Sequence, residues 1–389
     1  MPAPIAEAGG VIRSRILQYC GCLRGLAEIA GVAKGWSRMK LGLAIGYSGA
    51  ELDIPVDLVQ QAEQLGFDSV WTAEAYGSDA ITPLAYLAAK TERIRLGTAI
   101  IQVAARTPAA AAMEVQTVDA LAGGGRVVAG LGVSGPQIVE GWYGVPWGKP
   151  YYKLRDYITI MKKVFAREEP VTHQGREISL PYEGPGSAHM GKPLKSILHM
   201  NPHLPIFLGA GNPSNLRLAG ELCDGLLPLG FVPSRMADYR ERLEEGFARS
   251  GGKKAIGDGF EFQPSVVVNV TDDVRGALRA MKPRVALYVG GMGHPELNFH
   301  NQQMVRRGYG EAAARIQELY LAGRKAEALE EVPDDYCDES ALVGPPARIR
   351  QRFRAWEDSG ITGLTVSTRQ PEVVELMADI TGASKGATV

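Results

Sequence analysis

Cysteine is scarce: Cys20, Cys22, Cys223 and Cys337 are all that 389 residues contain. Four thiols so scattered make no disulfide framework, and a reducing, cytoplasmic setting is the expectation. Cys20-Gly-Cys22 lacks the spacing of a zinc knuckle or a CxxC redox motif. His173, His189, His199 and His203 fit no helical ligand pair such as HExxH, so no metal is expected. Long apolar runs are also missing. No stretch of roughly 18 uninterrupted apolar residues occurs, which removes a membrane-spanning helix from the expectation. Net charge is nearly absent, at -1, giving no reason to expect a nucleic acid or an acidic membrane as partner. An anion held by backbone groups, and a small-molecule substrate, stay open.

What is present suits a large globular core: 45% hydrophobic and 22% charged residues. Residues 1–38 read unlike the rest. Their apolar residues are interrupted by Arg13, Arg15, Arg24, Glu28 and Lys34, so no signal-peptide core forms, and a dispensable extension is expected. A short amphipathic helix docked on the main domain is the competing reading. From residue 39 to 389, short β-branched runs alternate with helical periods, the pattern of βα units and a parallel sheet. Strands are expected at Lys40–Tyr47, Ser69–Glu74, Ile94–Ile101, Arg126–Val133, Pro205–Gly209, Gly225–Leu229, Phe262–Val270 and Gly363–Ser367. That count fits a closed α/β barrel of the (β/α)8 type more simply than an open doubly wound sheet. Residues 170–204 and 290–335 break the rhythm and read as insertions over the barrel mouth.

Two strand ends carry a chemical signal. The fourth strand ends Gly130-Leu-Gly132-Val133-Ser134-Gly135, formally GxGxxG, but no second strand ending in an acidic residue follows about 20 positions on. The surviving reading is a loop whose bare backbone lets N–H groups approach a phosphate. The fifth strand ends Gly209-Ala210-Gly211-Asn212-Pro213, where Asn212 suits an N-cap and Pro213 the first helical position. A helix starting there points free N–H groups at the mouth, a ready anion site. Tight turns needing left-handed backbone would explain either segment alone; two on neighbouring strands favour a shared phosphate.

Five blocks, in order, resemble the luciferase-like monooxygenase superfamily, and in particular its branch of oxidoreductases using the deazaflavin coenzyme F420. They are Lys40-Leu-Gly-Leu-Ala-Ile45, Gly66-Phe-Asp-Ser-Val-Trp-Thr-Ala-Glu74, Thr91-Glu-Arg-Ile-Arg-Leu-Gly-Thr-Ala-Ile100, Arg126-Val-Val-Ala-Gly-Leu-Gly132 and Leu218-Ala-Gly-Glu-Leu-Cys-Asp-Gly225. The resemblance implies a luciferase-like barrel and a homodimer. It implies cofactor contacts at Gly132, Val133, Ser134 and Gly135 and at Gly209, Ala210, Gly211 and Asn212. It also implies a bulge with a non-prolyl cis peptide near Ala99-Ile100, backing the cofactor ring, with Gln102 just beyond. Some members carry a proton-donating His after the acidic end of strand two; here Glu74 is followed by Ala75, and that His is absent. The candidates left for the acid or base are Glu74, Tyr76 and His294. The implied activity is hydride transfer between F420 and a small organic substrate. The alternatives are an FMN-dependent monooxygenase on the same fold and a flavin- or deazaflavin-binding protein without turnover.

Overall fold

Helix-ending glycines and apolar strand runs set the alternation of the chain. Helix Val56–Gln64 buries Leu58, Val59 and Ala62 on one face, and Gly66, at φ +82, turns the chain out of it into the second strand. A computed structural model describes residues 39–292 and 294–383; the extension read at residues 1–38 lies outside them. Its barrel strands are β1 (Lys40–Gly46), β2 (Ser69–Thr72), β3 (Arg95–Thr98), β4 (Val127–Gly132), β5 (Ile206–Ala210), β6 (Gly225–Pro228), β7 (Gly259–Phe262 and Ser265–Val270) and β8 (Gly363–Ser367). All pair in parallel with their sequence neighbours, with registers such as Gly42↔Ser69, Ser69↔Arg95, Leu96↔Val127, Ala129↔Ile206 and Phe207↔Gly225.

Closure rests on β7, which is broken at Gln263-Pro264. Its first half pairs with β6 (Glu261↔Gly225) and its second with β8 (Ser265↔Thr365), while β8 pairs with β1 (Gly363↔Lys40). Proline has no N–H to give a ladder, so a break there is the expected geometry. The interior is plugged by Trp71, Val128 and Phe207, the two rings 5.8 Å apart. Gly225 gives Phe207 its room: a Cβ there would lie 2.6 Å from the ring.

Sequence reasoning placed most helices within a few residues, including Pro108–Leu121. It expected a helical region from β7 to about Leu329 and a helix from Pro346, with no strand between them. The structure instead has an added parallel strand, Ala341–Gly344, on the outer side of β7 (Val267↔Ala341). Four residues are too short a run to announce themselves by periodicity. The helices of the long insertion, Val274–Ala286, Phe299–Arg306 and Gly310–Leu321 among them, share a separate apolar cluster around Met304, Ile316 and Leu319. The earlier insertion carries one small hairpin, His173–Gln174 with Ser179–Leu180. It is pinned by Asp156, whose carboxylate accepts from the N–H groups of Glu177 (2.8 Å) and Ile178 (3.0 Å). Among the described residues no helix is long and apolar enough to cross a membrane.

Charges gather at the N-terminal ends of the strands. Arg95 of β3 donates to Asp68 and to both oxygens of Glu261, which Lys40 also reaches at 2.8 Å. Burial pushes the Glu261 carboxyl up, but the hydrogen bonds and charge of Arg95 and Lys40 outweigh it and hold it below the usual range. A depressed carboxyl contributes stability that is present above its unfolded value and is lost as pH falls through its folded one. Arg95→Met should therefore cost about 3 kcal/mol at pH 7, since it takes the guanidinium from Asp68 and leaves partly buried Glu261 with Lys40 alone. The cost should shrink at acid pH, as the pH falls through the depressed value of Glu261 and the wild type loses that pairing as well. Urea unfolding at several pH values measures this; an equal cost at pH 7 and pH 3 would contradict it.

Candidate active site

β3 ends as a strand at Thr98. The Ala99-Ile100 peptide is cis, where the resemblance implied one, and the chain resumes pairing at Ile101–Gln102 against β4 (Ile101↔Leu131, Gln102↔Gly132). The Ile100 side chain lies across the tips of the next two strands. A Cβ on Gly132 would sit 2.8 Å from Ile100 Cδ1, and one on Gly209 2.8 Å from Ile100 Cγ2. Those glycines are bare where Ile100 occupies the space that a side chain would need.

The bulge is anchored from β2. Gln102 N donates to Glu74 Oε2 and Gln102 Nε2 to Glu74 O, both at 2.9 Å. Arg106 grips the same carboxylate with two bonds, Nη1 to Oε2 at 3.0 Å and Nη2 to Oε1 at 2.7 Å, and the Glu74 side chain is only 5% exposed. Burial pulls the Arg106 guanidinium down, but Glu74 first and Glu114 next more than restore it. Glu74, a sequence candidate for the acid, is thus placed as a clamp with both oxygens engaged. The carbonyl of Ala75, where the resembled family has its His, accepts from Tyr143 Oη at 3.4 Å. Burial, then the Glu74 charge, push the Tyr143 hydroxyl up to about 12. Gln102 Oε1 is buried with no partner among the described residues, a free acceptor beside the bulge.

At the β4 tip Ser134 takes a left-handed conformation, φ +60, rare for a residue with a side chain. Gly135 precedes the short helix Pro136–Val139. At the β5 tip Asn212 caps helix Pro213–Leu222 as expected, its side chain accepting from Asn215 N at 2.9 Å. Ala210 is buried, and its carbonyl accepts from Leu229 N. Arg306 donates to the Gly211 carbonyl at 3.2 Å and has no carboxylate partner among the described residues. It lines a cleft of about 220 Å³ with Gly211, Pro213, Arg235 and Arg242, and with the acidic Asp238 and Glu241. A helix N-terminus beside an unneutralised guanidinium suits an anion.

Tyr76 is exposed at the rim of the mouth. His294 is exposed too, and its Nδ1 accepts from Glu296 N at 3.3 Å, capping the short helical turn Pro295–Leu297. Sequence reasoning missed Arg106 as the partner of Glu74, and it did not single out Tyr47, Tyr288 or His300. Arg106 could have been suspected as a cation soon after β3; Tyr47, right after β1, occupies the strand-end position where barrel chemistry collects. Tyr288 and His300 lie on insertion helices and gave no local signal.

A family model described as luciferase-like monooxygenase matches residues 36–363. A Mycobacterium tuberculosis protein provisionally named a coenzyme F420-dependent oxidoreductase is 46% identical over 342 residues, 87% of this chain and 98% of that relative. Among solved structures, the coenzyme F420-dependent tetrahydromethanopterin reductase of Methanopyrus kandleri superposes with a TM-score of 0.71 at 21% identity, covering 88% of this chain and 98% of that one. An F420-dependent secondary alcohol dehydrogenase in complex with an F420–acetone adduct gives 0.68 at 17% identity, covering 90% and 99%. At such identities these two structures speak to the fold alone.

If Arg106 holds the bulge through Glu74, Arg106→Met should destabilise the protein by about 3–5 kcal/mol, the cost of leaving a buried carboxylate without its partner. Denaturant unfolding checks this; a loss under about 1 kcal/mol would show that the pair is dispensable to the fold.

Proposed function

The chain belongs to the luciferase-like monooxygenase family, and from that premise we propose an oxidoreductase that transfers a hydride between coenzyme F420 and a small organic substrate. The observation that carries this reading is the 46% identity, along nearly its whole length, to a relative named for F420 dependence. The mouth fits such a group on its own geometry. Gln102 Oε1 is a buried acceptor in need of an N–H, which a deazaflavin ring offers. Ile100, seated on Gly132 and Gly209, supplies an apolar backing for that ring. Backbone N–H groups at Val133, Ser134 and Gly135, and those at Gly211 and Asn212 where helix Pro213–Leu222 begins, would hold the phosphate, with Arg306 close by.

When bound, the deazaflavin supplies or accepts a hydride at C5. This chain's residues orient the ring, exclude water and handle the accompanying proton. Tyr76 and His294 remain the candidates from the sequence for that proton, whereas Glu74 fixes the bulge. The substrate is a small molecule, the setting is cytoplasmic, and the assembly is a homodimer. Helix Pro108–Leu121 supports the last point: its exposed face carries Met113 and Leu121, 60% and 64% exposed.

Fluorescence titration with F420 and, separately, with FMN tests the cofactor. F420 should bind and FMN should not; tight FMN binding without F420 affinity would make the protein an FMN-dependent monooxygenase instead. Gly132→Ala, which must displace Ile100, should weaken F420 at least tenfold, and unchanged affinity would remove Ile100 from the site. For the assembly, Met113→Glu with Leu121→Lys should shift the mass measured by light scattering from two chains to one; an unshifted dimer would place the interface elsewhere.

A further inference from the structure

β1 runs in step with β2 as far as Ala44, and the register then slips at Gly46, which sits at φ +72. A bulge of this kind re-aims the side chain beyond it, and that side chain is Tyr47. Its hydroxyl lies 3.4 Å from the hydroxyl of Tyr288, and either can be the donor. Tyr288 stands on Leu287–Gly291, a turn wound wider than an α-helix, a feature frequent at functional sites. The turn is held from two sides. Buried Asn298 donates to the carbonyls of Tyr288 and Val289 at 2.9 Å each. Gly290 packs so closely that a Cβ there would come within 2.5 Å of the Tyr320 side chain. His300 meets the Tyr288 ring edge-on at 4.6 Å, and the Arg284 guanidinium lies 5.5 Å from the ring centre. The pair is therefore preorganised, and Tyr47, 37% exposed, opens toward solvent at the C-terminal end of β1.

Among the neighbouring polar groups, Glu74, His294 and His300 are committed elsewhere or carry no proton to give, and exposed Tyr76 lacks, among the described residues, the hydroxyl partner that Tyr47 has in Tyr288. Glu74 spans Arg106 and Gln102, and His294 caps a turn. Burial, then Arg284, push His300 down to about 4, so it is neutral at pH 7. Tyr47 keeps its proton: the bond with Tyr288 first and burial second, with Tyr288 and Tyr76 adding and Arg284 opposing, hold it up to about 12.

We propose that Tyr47, paired with Tyr288, is the proton donor to the oxygen of a neutral carbonyl substrate. The inference rests on the hydride-transfer reading above. The reductant is the reduced deazaflavin, a source of one hydride and one proton. The hydride forms the new C–H bond at the carbonyl carbon as the C=O π pair moves to oxygen. That oxygen takes the proton of Tyr47 Oη, leaving an alcohol. The phenolate left on Tyr47 accepts a bond from Tyr288 Oη and regains a proton from water at the mouth, which also receives the proton released with the hydride. Two neutral hydroxyl donors suit a neutral carbonyl oxygen, and nearby Arg284 disfavours a cationic acceptor such as an iminium ion.

The test uses the full chain with Tyr47→Phe and Tyr288→Phe. On protein labelled with 13Cζ-tyrosine, the resonance lost in Tyr47→Phe identifies Tyr47. It should titrate well above the free tyrosine range, and move back toward that range in Tyr288→Phe; an ordinary titration in the wild type would overturn the pairing. F420 affinity of Tyr47→Phe should stay within about twofold of wild type. With reduced F420 and a panel of neutral ketones and aldehydes, kcat of Tyr47→Phe should fall about 100-fold or more, the span expected of a general acid, with KM little changed. Full kcat in Tyr47→Phe, or a wild-type protein that binds F420 and reduces none of the carbonyl panel, would overturn the proposal and leave the cofactor reading intact. A wild-type protein that binds no F420 would overturn both.

Discussion

The ion pair between Glu74 and Arg106 is the constraint on which the barrel mouth depends. Burying a carboxylate costs several kcal/mol unless its oxygens are satisfied, and here the guanidinium and the Gln102 amide satisfy both. The carboxylate belongs to the end of β2, and its partners belong to the stretch just after β3. Holding them together fixes where β3 stops and where Ile101–Gln102 rejoins β4. That in turn lays Ile100 over Gly132 and Gly209. The surface of the mouth is thus set from beneath by a charge pair with little exposure of its own.

The two ends of the barrel use charge differently. At the N-terminal ends Lys40, Asp68, Arg95 and Glu261 form a closed network in which each cation faces a carboxylate. At the C-terminal ends, among the described residues, Arg306 bonds to neutral oxygens, Gln102 keeps an unpartnered acceptor, and Ser134 holds a left-handed backbone.

The parts of this architecture legible in sequence were those specified by neighbouring residues. β-branched runs gave the strands, and Asn212-Pro213 gave the start of its helix because capping is chemistry between residues three apart. The luciferase-like family was legible from ordered blocks along the chain, and the match to residues 36–363 bears that out. What stayed hidden depends on distant pairing. Arg106 meets Glu74 across 32 positions and Tyr47 meets Tyr288 across 241, with no periodicity to reveal either. The break in β7 follows from pairing on two different sides, which Gln263-Pro264 hints at but does not determine. Gly132 and Gly209 were recognised as meaningful, yet the side chain packed against both is Ile100, in the bulge after β3.

The central claim is that the mouth is shaped for a deazaflavin. Native mass spectrometry of the protein isolated from a host that makes both F420 and FMN tests it most directly, because the two compete for one site at cellular concentrations. The account predicts a bound mass corresponding to F420. A protein that emerges carrying FMN, with F420 available and left unbound, would contradict it.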